Sequence, residues 1–298
     1  MHMMCRYPQY SKTAGIEHPC GQCHHCRHNK RREWTHRIIL ESHCHSSNIF
    51  LTLTYNDQHL VFNNKDSVLY YPDVSDFLDR LRHRKGIKPF RFYCVGEYGE
   101  QTQRPHYHLA MFGVDASAKS IIEDCWKDDL GPMGHIHIGT LTLDSAGYIA
   151  GYINKKMTKP DDPRLEGRDP EFSVMSRRPG IGVPYVSKLV QDYRVHLEKI
   201  VTVTGDVPKT LRHGTKVLPL GRLLVDRLRK ELNVSHLKEA HAADYKTQVR
   251  IMRELRADAA LYPKSPLGLK IRNAELERRQ VMLNRETLSN IHKKRKLL

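Results

Sequence analysis

The chain predicts an α+β fold: a central antiparallel β-sheet with helices packed mainly on one face. Three observations carry that expectation. Alternating or β-branched runs at 49–55, 90–95, 106–112 and 135–143 have strand character. Helix-spaced apolar residues recur between them, at 71–86, 118–129 and 145–157. A short polar stretch through Gly99 separates the second and third strands, as in a hairpin.

The elements follow in order. Residues 1–30 are loop-like and rich in Cys and His, and 27–44 read as a basic helix with Trp34, Ile38 and Ile39 at helical spacing. The run from Ile49 to Tyr55 ends at the Asn56-Asp57 turn signal. Tyr71-Pro72-Asp73 opens a helix whose stripe is Val74, Phe77, Leu78 and Leu81, and Gly86 ends it. The Pro-, Gly- and charge-rich stretch from Lys159 to Pro184 reads as a long loop. Helices are expected at 186–200, 218–232, 237–261 and 271–298. Four segments result: 1–45, a Cys-rich element with its basic helix; 46–160, the sheet and its helices; 161–208, a loop and helix packing on the core; and 209–298, a basic helical tail.

Net charge is +16, unevenly spread. Residues 209–298 hold 22 Lys+Arg against 9 Asp+Glu, or +13, whereas residues 38–208 hold 20 against 22, or −2. A basic tail beside a near-neutral body suits a phosphate backbone better than a membrane surface or an acidic partner. No apolar run approaches the ~20 residues of a membrane span, and Met1 to Tyr10 lacks the apolar region of a secretory signal. A cytoplasmic protein is the expectation.

Cys20, Cys23 and Cys26 are spaced two residues apart, with Cys5 upstream. Four thiolates and no export signal point to a structural Zn²⁺ rather than to disulfides. His24, His25 or His28 could replace Cys5, and an iron–sulfur cluster is the competing occupant, although the Cys-Pro ending of the ferredoxin run is missing. Cys44, Cys94 and Cys125 read as buried small hydrophobes.

His106 and His108, two apart on a strand, point to one face and can share a metal ion. His135 and His137 have the same spacing, so spacing alone does not decide. Glu97, at the end of the preceding strand, is the carboxylate a hairpin would bring beside the first pair; Glu100 competes for that place. A His/His/Glu set with open positions suits Mg²⁺ or Mn²⁺. About forty residues on, Tyr148 and Tyr152 lie one helical turn apart. At about 100° per residue, Tyr152 falls about 40° from Tyr148 and Lys155 about 20° to its other side, off the apolar stripe. A phenol, with an ordinary pKa near ~10, needs a polarised electrophile and nearby positive charge to attack a phosphodiester. Lys155 can supply that charge. Gly147 and Gly151, poor helix formers, would let a DNA backbone come close.

Pro19-Cys20-Gly21-Gln22-Cys23 through Cys26, Phe50 to Tyr55, Gly96-Glu97-Tyr98-Gly99, Arg104 to Gly113, Tyr148 to Lys156 and Ser176 to Gly182 occur in that order. In them the chain resembles the HUH endonucleases, specifically the rolling-circle replication initiators of gokushovirus-type microviruses, single-stranded DNA bacteriophages. The resemblance covers most of the first 185 residues. It implies an HUH, palm- or RRM-like sheet and a nick at the origin of phage DNA. It further implies a 5′-phosphotyrosine intermediate and rejoining of the displaced strand.

By that likeness His106, His108 and Glu97 hold the metal, Tyr148 and Tyr152 are nucleophiles, and Lys155 assists them. Arg27, Lys30, Arg31, Arg32, Arg104 and Lys156 are the DNA-contact candidates. Many relatives carry a basic residue just before the second tyrosine, where this chain has Gly151. Implied partners are single-stranded and origin DNA and the host replication helicase and polymerase, in the cytoplasm of an infected bacterium. Two alternatives stay open: a transposase- or relaxase-type HUH nuclease, and a non-enzymatic, zinc-stabilised single-strand binder.

Overall fold

The computed structural model describes residues 5, 7–63, 66–99, 101–152, 165 and 168–239, with separate stretches between 245 and 274. The chain forms two compact units, Arg27–Val234 on the one hand and Met1–Cys26 with Ser235–Leu298 on the other.

The larger unit is built on a five-stranded sheet. Its strands are β1 (Asn48–Thr54), β2 (Arg91–Tyr98), β3 (Pro105–Phe112), β4 (Ile136–Thr140) and β5 (Phe172–Met175). Their order across the sheet is β4-β1-β3-β2-β5, and every neighbouring pair is antiparallel. The α+β class expected from the sequence is therefore the class observed. Three features differ from the expectation.

First, helices cover both faces of the sheet. On one face α2 (Tyr71–Arg82) and α3 (Lys119–Cys125) bring Val74, Phe77, Leu78, Leu81, Ile122 and Cys125 against Leu51, Leu53, Leu109 and Met111. Each such side chain contributes about 1.5–3 kcal/mol relative to exposure, enough to fix which strand residues point that way. On the other face α1 (His24–Ser42) and α4 (Leu143–Tyr152) place Ile38, Ile39, Ile149 and Ala150 on Tyr93, Val95, Ala110 and Phe112. Strands β2 and β3 are thus buried on both sides, a pattern without the polar alternation of a one-sided sheet.

Second, the stretch read as a loop contains β5, which pairs Phe172 with Gly96 and Met175 with Tyr93 at the sheet edge. Four residues among prolines and charges give too short a run to show alternation. Third, the start of the basic tail is a hairpin, β6 (Thr210–His213) and β7 (Lys216–Pro219), followed by α6 (Gly221–Glu231). Leu220, Leu224, Val225 and Leu228 pack with Leu40 of α1 and with Val186, Leu189, Val190 and Leu197 of α5 (Val183–Thr204). The hairpin is held to α1 by hydrogen bonds between His36 Nδ1 and the Pro219 carbonyl (2.8 Å) and between His36 Nε2 and His213 Nε2 (2.9 Å). The buried Glu41 carboxylate accepts from Arg91 Nε at 2.5 Å and from the Gly182 backbone at 2.6 Å, tying the segment before α5 to α1.

In the smaller unit, Gln9–Ser11 and Ile16–His18 form a short antiparallel hairpin, and the Tyr245 hydroxyl donates to the Glu17 carbonyl at 3.2 Å. Among the described residues no helix is long and apolar enough to cross a membrane.

The turn after α5 is closed by a forked ion pair. Arg229 Nε and Nη2 donate to the two Asp206 oxygens at 2.9 and 2.7 Å. Burial pushes the Asp206 carboxyl up, but the Arg229 hydrogen bonds more than reverse this and hold it at about 2. A carboxyl lowered on folding stabilises the protein above its unfolded pKa, and that stability fades as pH falls through the folded value. Asp206→Asn should therefore lower Tm at pH 7, and the difference from the parent chain should close between about pH 4 and pH 2. Thermal melts across that range are the check; a difference independent of pH would refute the ion pair's role.

Candidate metal and tyrosine site

The register of three strands assembles the first part of the site. Glu97 on β2 lies opposite His106 on β3, Val95 lies opposite His108, and His108 lies opposite Thr52 on β1. Since alternate residues share a face, Glu97, His106, His108 and Thr52 all point toward the side covered by α1 and α4. His106 Nε2 and His108 Nε2 both donate to Glu97 Oε1, at 2.6 and 3.2 Å. Their ligand atoms lie within 4.8 Å of one another. Glu97 Oε2 is buried and has no hydrogen-bond partner. Leaving a buried carboxylate oxygen unpaired is costly, and a cation is the partner that the donor set N, N, O would accept. The residues fit a divalent metal.

The outer hydrogen bonds orient the rings. His106 Nδ1 donates to the Arg104 carbonyl at 3.1 Å, and His108 Nδ1 meets Thr52 Oγ at 2.9 Å. A carbonyl and a carboxylate both accept, so His106 carries protons on both nitrogens. Burial pulls its pKa down, but the Glu97 and Arg104 bonds outweigh burial and raise it above its ordinary value. His108 is pushed below its ordinary value by burial and stays neutral. Burial pushes Glu97 up, and the two imidazole bonds more than compensate, holding it below the usual range.

The tyrosines stand on α4, which starts with reciprocal capping: Ser145 N donates to Thr142 Oγ at 3.2 Å, and Thr142 N donates to Ser145 Oγ at 2.7 Å. Tyr148 and Tyr152 meet edge to face with centroids 4.8 Å apart. Both rest on the metal-site imidazole. Tyr152 stacks on His108 at 5.4 Å and 13°, and Tyr148 meets it edge-on at 5.2 Å. Phe50 completes the cluster, stacked on His108 at 5.5 Å and edge-on to Tyr148 at 6.1 Å. The pair is unequal: Tyr148 is 48% exposed and Tyr152 only 6%. Tyr152 belongs to the buried cluster with Ile149 and Ala150, so the tyrosine face and the apolar stripe overlap more than the helical wheel indicates.

The other expected residues are placed as follows. Arg31 lies against α4, its Nε donating to the Gly147 carbonyl at 2.9 Å. Gly147 and Gly151 face α1 rather than open solvent, so they do not offer a DNA backbone the approach that their size suggests. Arg32 Nη2 donates to the Val217 carbonyl at 2.5 Å. Arg104 pairs with Asp57 and bonds the Tyr55 carbonyl. Arg27 is half-buried and Lys30 exposed. Lys155, Lys156 and Glu100 lie outside the described residues. His135 and His137 are exposed, and neither belongs to a candidate metal group among the described residues. Sequence reasoning missed Thr52 and Phe50; Thr52 had a signal in its alternation onto the His106/His108 face.

In the smaller unit Cys5, Cys20, Cys23 and Cys26 form a second candidate metal group. The Cys5–Cys23 and Cys20–Cys26 sulfur separations are 4.0 and 3.9 Å. Four Zn–S bonds of ~2.3 Å in a tetrahedron put sulfurs ~3.8 Å apart, so the spacing suits that geometry. The Cys23 backbone N–H lowers the Cys20 thiol to about 6, and burial raises those of Cys26 and Cys5.

Removing the Thr52 hydroxyl leaves the His108 ring unanchored at Nδ1. Thr52→Val should weaken divalent-metal affinity at the Glu97/His106/His108 site by about 10–100-fold without unfolding the chain. Mn²⁺ titration beside a thermal melt tests this, and unchanged affinity would show that Thr52 does not orient the ligand.

Comparison with known proteins gives a consistent result. Residues 48–157 match the family model of the replication-associated protein ORF2. The chain is 33% identical over 197 residues to replication-associated protein VP4 of Bdellovibrio phage phiMH2K, covering 59% of this chain and 60% of the relative. It is 32% identical over 203 residues to replication-associated protein ORF2 of Spiroplasma virus 4, covering 63% and 62%. With replication-associated protein ORF4 of Chlamydia phage 1 it shares 26% over 160 residues, covering 46% and 38%. The chain thus spans about 60% of the length of the first two relatives. No solved structure matches it. The family match spans β1 through α4 and so contains both histidines, Glu97 and both tyrosines; the chain is a relative of the replication-associated proteins of microvirus-type phages.

Proposed function

We propose that this protein initiates rolling-circle replication as an HUH-type endonuclease, nicking origin DNA with a tyrosine and rejoining the displaced strand. The observation that supports this best is the direct packing of both tyrosine rings on His108, an imidazole of the Glu97/His106/His108 set. A phosphodiester held at that set lies within reach of the phenols, a near-attack arrangement.

A tyrosine Oη forms a bond to phosphorus while the bond from phosphorus to the 3′ oxygen breaks. The phenol proton ends on the departing 3′ hydroxyl, and the 5′ phosphate stays on the tyrosine. The reverse step, with a new 3′ hydroxyl attacking the phosphotyrosine, joins the strand and needs no energy source. Mg²⁺ or Mn²⁺ bound by His106, His108 and Glu97 supplies charge that polarises the phosphodiester oxygens. Tyr148, the exposed member, meets the incoming strand, and Tyr152 lies behind it on the imidazole. Lys155 adds positive charge one turn beyond Tyr152. In this reading Arg27, Lys30, Arg32, Arg104 and Lys156 contact the DNA backbone, and Zn²⁺ at the four cysteines is structural. The partners are origin DNA and the host helicase and polymerase, in the cytoplasm of an infected bacterium.

One incubation of protein, Mn²⁺ and labelled single-stranded origin DNA on a denaturing gel tests the reading. A covalent protein–DNA adduct is expected, and DNA binding with no adduct would leave only a zinc-stabilised single-strand binder. His106→Ala or His108→Ala should abolish the adduct while sparing binding, and His137→Ala should reduce it less than threefold or so, since that side chain stands outside the ligand set. Tyr148→Phe and Tyr152→Phe should each retain single nicking, and the double variant none.

Metal analysis should find close to one tightly held zinc per chain, lost from Cys20→Ser plus Cys23→Ser; a zinc-free parent chain with an intact N-terminus would eliminate that site. Residues 235–298 hold 15 Lys+Arg against 7 Asp+Glu, or +8. Deleting them after Val234 keeps α6 in its core and should weaken binding to any DNA while flattening its salt dependence.

A further inference from the structure

The glycines of α4 stand one residue before each tyrosine, and a helix built from Ala at both places would be more stable by roughly 1 kcal/mol each. What occupies the space is Arg31. A Cβ at position 151 would lie 3.4 Å from Arg31 Cζ and Nε and 3.6 Å from Nη2; one at position 147 would lie 4.0 Å from Nη2. The guanidinium therefore lies in the trough left by the two missing side chains, and its Nε bond to the Gly147 carbonyl fixes it there.

This cation has an unusual setting. It is half-buried, and desolvation lowers its pKa. An arginine in such a place ordinarily pairs with a carboxylate. Among the described residues none forms an ion pair with it, and the acidic group that offsets its desolvation is the Tyr152 phenol. The Nε edge of the fork is spent on the helix. Guanidinium N–H groups in a partly dry site bind phosphate oxygens strongly and in fixed geometry.

We propose that Arg31 is the phosphate-holding residue of the second tyrosine, gripping the nonbridging oxygens of the phosphodiester as it passes to or from Tyr152. Arg31 keeps all its protons. The bond formed is from Tyr152 Oη to phosphorus, and the bond broken is from phosphorus to the 3′ oxygen, which takes the phenol proton. Gly151 is small so that the cation can reach this tyrosine from α1, 120 residues away in sequence. Tyr148, exposed and packed on Phe50, does not depend on Arg31 to the same degree. The proposal rests on the strand-transfer reading, and deepens it by separating the two tyrosines.

The test uses the full chain with Mn²⁺ in two backgrounds, Tyr148→Phe, which leaves Tyr152, and Tyr152→Phe, which leaves Tyr148. Arg31→Gln retains a donor for the Gly147 carbonyl and removes the charge. It should cut adduct formation through Tyr152 at least tenfold more than through Tyr148, and Arg31→Lys should recover a large part of the loss. Binding of a single strand with an uncleavable methylene linkage at the nick site should lose about 0.7 from its log–log salt slope in Arg31→Gln, one phosphate contact. Equal losses through the two tyrosines, or an unchanged salt slope, would overturn the proposal and make Arg31 a pin between α1 and α4. If the parent chain forms no adduct at all, the strand-transfer reading fails, and the salt slope alone decides whether Arg31 holds a phosphate. A melt of each variant with Mn²⁺ separates these outcomes from misfolding, and Arg31→Lys carries the comparison if Arg31→Gln does not fold.

Discussion

The register between β2 and β3 is the constraint on which the site depends. It sets Glu97 opposite His106 and Val95 opposite His108, and the pairing of β3 with β1 then sets Thr52 beside His108. A slip of one residue would turn the imidazoles to the α2/α3 side and drive Leu109 and Met111 to the other. Because both sheet faces are packed, neither outcome is tolerated. The register is thus specified by apolar side chains on two faces, and the polar site follows from it. That ordering matters energetically: a buried Glu97 with one oxygen unpaired is unfavourable by itself, and the surrounding core must hold it in place.

Helix α1 has the corresponding role for the second half of the site. Its Ile38 and Ile39 pack on the sheet, its Arg31 lies in the glycine trough of α4, its Leu40 enters the α5/α6 cluster, and its Glu41 holds the segment through Gly182. The tyrosines are positioned by a helix that is short, capped at its start, and braced by α1. This accounts for the high polar content of α1: its arginines and its buried carboxylate bond backbone groups of other elements rather than water.

Much of this architecture was legible in the sequence. The alternation in 49–55 and 106–112, the Tyr71-Pro72-Asp73 helix start and the two-residue histidine spacing all lead to the observed strands, α2 and the shared face of His106 and His108. Glu97 was legible because a hairpin is a local structure. What was not legible is non-local or too short. The placement of helices on both faces depends on whether residues such as Tyr93, Val95, Ala110 and Phe112 meet a second helix layer, and an uninterrupted apolar run is compatible with either arrangement. The four residues of β5 have no pattern long enough to detect. Arg31 and Gly151 meet across 120 residues, so the purpose of the glycine emerges only when α1 is in place.

The bonds that hold the β6/β7 hairpin to α1 contain a count of protons. The Pro219 carbonyl only accepts, so His36 Nδ1 carries its hydrogen and, in the neutral ring, Nε2 is bare and accepts from His213 Nε2–H. One added proton on His36 sets two N–H groups against each other at 2.9 Å and turns the fastening into a repulsion. Burial first, then the neighbouring His213 and Arg32, keep that proton away by lowering the His36 pKa to about 4. The unfolded chain takes up the same proton near pH ~6.5, so acidification below that value draws the hairpin off α1 progressively, and the drain is complete below about pH 4. The hairpin is in this sense a latch with its acid limit written into one tautomer.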